Sequence, residues 1–178
     1  MSIASSDELC VALEETLRTH LAETITMLGW DTSVFKPIRE WQQLPTIEAL
    51  SSAAFPAIAI ASPGLQGQPA HSRADGGYRA TWRIGVGIYD RGKNHADTQA
   101  RVRDWCAAIR LTARAHRSLG GVATGVAWAG DRYELMPNRN QARTFGAGAV
   151  ALDVSALVID TLGNPPRVAS TPTSLSVQ

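Results

Sequence analysis

The sequence predicts an α+β fold, an antiparallel or mixed β-sheet of about four strands with two main helices packed on one side. Three observations lead there: two stretches with apolar residues at steps of three and four, two long runs alternating with a period of two, and hairpin-length links between the strand candidates. With 178 residues, 44% of them hydrophobic and 19% charged, the chain has the length and apolar content of one globular domain.

The first helix opens at Ser5, which stands three residues before Glu8 as in a capping box. Leu9, Leu13, Leu17, Leu21, Ile25 and Leu28 then form one apolar stripe, and Gly29 is placed to close the last turn. Trp30 to Ala54, broken by Pro37 and Pro45, reads as irregular with a short helix at Ile47 to Ala53. Pro56 to Ala61 (PAIAIA) is a short apolar run bounded by turn formers, which fits a buried strand. Gly64 to Gly77 is polar and without period, so it reads as a long exposed loop or hairpin tip. From Tyr78 to Ile88, Tyr78, Ala80, Trp82, Ile84, Val86 and Ile88 alternate with Arg79, Thr81, Arg83, Gly85 and Gly87, the pattern of a half-buried strand.

After a turn at Asp90 to Lys93, a second helix is expected from His95 to His116, with Val102, Trp105, Cys106, Ile109 and Ala113 facing inward and Gly120 and Gly121 ending it. Val122 to Trp128 reads as a strand, Gly130 to Gly146 as another polar loop, and Ala147 to Thr161 as the last strand. The domain is accordingly placed at residues 1–162. Residues 163–178 form a separate extension rich in Pro, Ser and Thr, whose one charged side chain is Arg167 and which cannot bury enough surface to fold alone.

A net charge of +1 argues against general binding to polyanions, and no apolar run approaches the roughly 18 residues that span a bilayer. The start of the chain lacks the basic and apolar regions of a signal peptide, so a soluble, cytosolic product is expected. Cys10 and Cys106 both fall on apolar stripes and read as buried free thiols.

No catalytic or metal set emerges. His20, His71, His95 and His116 lack ligand spacing, and His116 suits the end of its helix. Gly120 to Gly130 lacks the Gly-Lys-Ser/Thr of a phosphate loop. Asp153 and Asp160 would stand about 23 Å apart on opposite strand faces and cannot share a substrate. The expectation is no enzyme, no cofactor and no metal.

Interaction residues are more evident. Arg103, Arg110, Arg114 and Arg117 recur along one side of the second helix, as a basic ridge for an acidic partner or phosphate backbone, or as a solvated face whose stems cover the core edge. Of five tryptophans, Trp82, Trp105 and Trp128 fit core positions, leaving Trp30 and Trp41 as contact candidates. Gln66, Gln68, His71 and Arg73 mark the long loop as a docking arm, and Val168, Leu175 and Val177 are the apolar anchors of the extension.

The PAIAI strand, the run IGVGIYD, the helix RDWCAAIRLTARAHRSLGG, the segment GVAWAGDRYEL and the final apolar strand together resemble the tail terminator proteins of long-tailed bacteriophages, particularly those of actinobacteria. Ile109 to Glu134 carries most of the likeness, which extends loosely over Ser5 to Thr161. The resemblance implies a virion structural protein, made in the host cytoplasm, that forms a hexameric ring on the tail tube. Such a ring would stop tube polymerisation and join the head-tail connector, while genomic DNA passes through its hole without sequence-specific binding. A head-closure or tail-tube protein is the nearest alternative, and a small enzyme the more distant one.

Overall fold

The computed structural model describes residues 5–31, 33–43, 54–72, 77–136 and 145–158. The elements are α1 (Ser6–Met27), β1 (Glu40–Gln42), β2 (Ala57–Leu65), β3 (Ala70–Ser72), β4 (Gly77–Asp90), α2 (His95–Ala115), a short 3-10 turn (Leu119–Gly121), β5 (Gly125–Met136) and β6 (Phe145–Val158). The fold is α+β as the patterns predict, but the sheet has six strands, in the order β1-β2-β4-β6-β5, with β3 pairing the start of β4. β1 joins β2 in parallel, and every other pair is antiparallel.

α1 begins where the capping box sets it: Glu8 N–H donates to Ser5 Oγ and Ser5 N–H to the Glu8 carboxylate, each at 3.1 Å. Two reciprocal bonds satisfy donors that a helix start leaves orphaned. Leu9, Leu13 and Leu17 are fully buried. α2 starts on an Asn94 side chain that accepts from Asp97 N–H, and it buries Val102, Trp105, Cys106 and Ile109. The two helices meet through Thr112, whose hydroxyl donates to Thr24 at 2.8 Å.

Both helices cover one sheet face, formed by Ile58 and Ile60 of β2, Ile84, Val86 and Ile88 of β4, and Val150, Leu152 and Val154 of β6. α2 comes especially close to β6 at two glycines. A Cβ on Gly148 would sit 2.6 Å from Cys106 Sγ and 2.7 Å from Val102 Cγ1, and one on Gly146 2.8 Å from Val102 Cγ2. The absence of side chains there sets the spacing between helix and sheet.

The opposite face carries no helix among the described residues. Its cross-strand rows Ala59–Gly87–Ala149–Arg132 and Ala61–Gly85–Ala151–Gly130 are mostly small residues, and at one end Tyr89, lying against Gly87, forms a second buried cluster with Ala57 and Ala59, flanked by Phe55 and Phe145. One ion pair stands within it: Arg83 Nε donates to Asp153 Oδ1 at 2.5 Å across neighbouring strands. Thr81 and Ser155 hydroxyls meet beside it at 2.9 Å.

Several expectations change. The polar stretch Gly64 to Gly77 is partly strand, since β2 continues to Leu65 and β3 returns to pair β4. Gly130 to Gly146 is not a loop at its start: β5 runs on to Met136, with a bulge between Trp128 and Gly130 where Gly130 takes φ 155°. β1 lies inside the stretch read as irregular, and the short helix expected at Ile47 to Ala53 falls outside the described residues.

Candidate functional site

Backbone placement explains which side chains gather. β5 ends the sheet order, so no described strand pairs with its outer edge. Up to the bulge, the β5 residues Val126 and Trp128 oppose Val154 and Leu152 on the helix-bearing side. Past it, Asp131, Tyr133 and Leu135 oppose Val150, Gly148 and Gly146 on that same side, because the extra residue restores the phase. α2 covers only the inner part of this row.

Asp131 organises the rest. Its side chain is 8% exposed and accepts from Arg110 Nη1, Trp128 Nε1 and Tyr133 OH, each at 2.9 Å. The Arg110 guanidinium also lies 4.5 Å from the Trp128 ring centroid, and that of Arg103 5.8 Å from Tyr133. Burial, then the hydrogen bond to Asp131, pushes the Tyr133 hydroxyl up to about 12, so it stays a donor at neutral pH. The product is an aromatic shelf beside a strand edge that no described strand pairs: Trp128 is 49% exposed, Tyr133 38% and Leu135 39%.

The predicted core place of Trp128 is therefore corrected, while Trp82 and Trp105 are buried as expected. Trp128 has the parity of a core residue, but it stands on the edge strand, where α2 meets its ring with the Arg110 side chain and leaves it 49% exposed. Trp30 and Trp41 are half-buried against the core. Trp30 stacks on Phe35 at 5.2 Å and Arg18 lies 4.7 Å over Trp41.

The arginines do not form one uniform ridge. Arg103 and Arg110 face β5 as described, Arg114 is exposed in the last turn of α2, and Arg117 lies beyond the helix end. Gln66, Gln68 and His71 are exposed on the arm formed by the end of β2 and by β3, with His71 edge-on to Tyr78 at 5.3 Å. Arg73, Val168, Leu175 and Val177 lie outside the described residues.

A second polar centre, missed in the sequence, is buried. Asp90, read as a turn residue, is 2% exposed. It accepts from Trp105 Nε1 at 2.9 Å, Arg101 Nε at 3.0 Å and Arg91 N–H at 2.7 Å. Arg101 continues to the Val34 carbonyl at 2.9 Å. Every group points inward to a partner, which makes this a structural brace joining β4, α2 and the segment after α1.

Among the described residues, no three His, Cys, Asp or Glu side chains gather as metal ligands. His20 and His116 instead stack on each other with centroids 3.7 Å apart. Burial pushes the Cys10 thiol up to about 11 and the Cys106 thiol up to about 12, which leaves both unreactive as nucleophiles. No described helix is long and apolar enough to cross a membrane.

No protein-family model matches the chain, and no curated protein matches it. Among solved structures, the fold is similar to a chain from the virion of a native gene transfer agent particle, with a TM-score of 0.37 and 8% identity over 82% of this chain and 97% of that one. At that level the likeness is weak and lends no role to any residue.

Proposed function

We infer that this chain is a phage-type virion structural protein, and within that class a tail terminator whose hexameric ring caps the tail tube and receives the head connector. The observation that carries the assembly reading is the outer edge of β5. Its 12 residues leave main-chain donors and acceptors without a described strand partner, and the Trp128–Tyr133–Leu135 shelf lies alongside. A long open edge is a template for pairing with another chain, and rigid aromatic groups are the side chains that anchor interfaces. The terminator assignment within that reading comes from the sequence resemblance over Ile109 to Glu134.

A head-to-tail contact between copies must close into a ring or grow into a fibre, and a terminator has to end growth. The arm bearing Gln66, Gln68 and His71 would meet the tail tube or the connector, with DNA passing through the ring and no bases read. Native mass measurement with negative-stain images tests this: closed rings that cap tubes of uniform length are expected. Trp128→Lys with Leu135→Lys should keep the circular dichroism of the fold and lose the rings. Protein that stays monomeric when mixed with tail tubes would overturn the reading, and open stacked tubes would assign it to a tube protein instead.

A further inference from the structure

A groove of about 730 Å³ runs between the first turns of α1 and the chain entering β5. Its floor is apolar: Val11, Ala12, Val122 and Leu157. Val11 and Val122 are 41% and 40% exposed, although each belongs to a side-chain type that gains from burial. Its rim is acidic, with Asp7 and Glu15 on the α1 side, and no Lys or Arg lines it among the described residues. An apolar floor with carboxylates on one wall suits an extended segment that carries one cation next to a small apolar side chain.

The chain contains such a segment within reach. Leu157 lines the groove, and the described part of β6 ends one residue later, at Val158. The residues that follow include Pro165-Pro166-Arg167-Val168, and Arg167 is the only charged side chain from Gly163 to Gln178. Two consecutive prolines hold the backbone extended, which lowers the entropy lost on docking. The chain from Val158 to Arg167 spans up to about 30 Å, so the segment can turn back on its own molecule, where its effective concentration is in the millimolar range.

We propose that Pro165 to Val168 lies in this groove of its own chain, with the Arg167 guanidinium between the Asp7 and Glu15 carboxylates and Val168 over Val11 and Val122. This assignment is independent of the ring reading, because it concerns one isolated chain.

The test is a nitroxide attached to Ser170→Cys in the full chain, with the amide signals of Val11, Glu15, Val122 and Thr124 followed by NMR. Cys10 and Cys106 are buried, so labelling is confined to the new thiol. Selective loss of those four signals is expected, together with their return in Arg167→Glu. A second loss should follow when Arg167→Glu is combined with Glu15→Arg, an exposed mid-helix exchange that the fold tolerates. Unchanged signals in the labelled chain would overturn the proposal. So would loss of signal only when labelled chains are mixed with nitroxide-free isotopic chains, since that places the segment on a neighbour.

Discussion

Replacing Asp131 by Ala tests whether the aromatic shelf is held by one carboxylate. The change removes the acceptor for Arg110, Trp128 and Tyr133 together. Breaking a fully buried pair costs about 3–5 kcal/mol and an exposed one about 0–1 kcal/mol. Here the side chains are 26% and 8% exposed for Arg110 and Asp131, an intermediate case that gives about 2 kcal/mol. Trp128 and Tyr133 are open enough to bond water instead, so they add little. In a chain of this length about 2 kcal/mol lowers the melting temperature by about 4–8 °C. The same variant has a second readout. The hydrogen bond and charge of Asp131 help hold the Tyr133 proton, so tyrosinate absorbance should develop at lower pH in the variant, while burial keeps the titration above the ordinary value. Urea unfolding and an alkaline absorbance titration measure the two effects. Unchanged stability with an unmoved tyrosine titration would refute the role assigned to Asp131.

Asp90→Ala strands Arg101 and Trp105 Nε1 in the interior and should cost about 3–5 kcal/mol in urea unfolding, more than Asp131→Ala. Gly148→Ala puts a methyl group against Cys106 and Val102, an overpacking worth about 1–3 kcal/mol, and Val102→Ala in the same chain should recover part of it in a double-mutant cycle. Native Cys10 and Cys106 should resist thiol reagents at pH 8 and react once the chain is unfolded in urea. Their folded values of about 11 and about 12 lie above the ordinary 9, so unfolded thiols release protons first. Stability from this source is flat below pH 9 and falls above it, by up to about 1.4 kcal/mol per pH unit for each thiol. Replacing both cysteines by Ala should make the alkaline loss in denaturant titrations shallower.

The helices were the most legible part of the fold, because their stripes are local: the Ser5–Glu8 box and the leucine spacing mark α1 within a residue or two of its observed bounds. β4 was equally plain, since it is central and its alternation separates a covered face from an open one. β5 beyond Trp128 was not legible. There Gly130, Asp131, Arg132 and Glu134 have loop composition, and only pairing with β6 makes them a strand. Trp128 shows the same limit from the other side, because parity puts it on the correct face without revealing that an edge strand leaves it half exposed. Asp90 and Asp131 look like surface carboxylates in sequence, yet Arg101 and Trp105 on Asp90 and Arg110 on Asp131 stand 11 to 21 residues away and are brought in by tertiary structure. Gly146 reads as the end of a polar loop, and why β6 carries it and Gly148 appears only with α2 lying on them.

The sheet face that bears no described helix has a mechanical consequence. Its middle row Ala61–Gly85–Ala151 gives little relief, while Tyr89, Phe55 and Phe145 stand as a bulky cluster at one end. A row of such small side chains offers few knobs for a partner's side chains to interdigitate with. The Arg83–Asp153 pair satisfies itself across neighbouring strands, so it adds polarity at the centre of the face without offering a spare charge. Any partner resting here would find its side-chain anchors in the Tyr89 cluster and along the strand edges, with little to hold in the middle of the face.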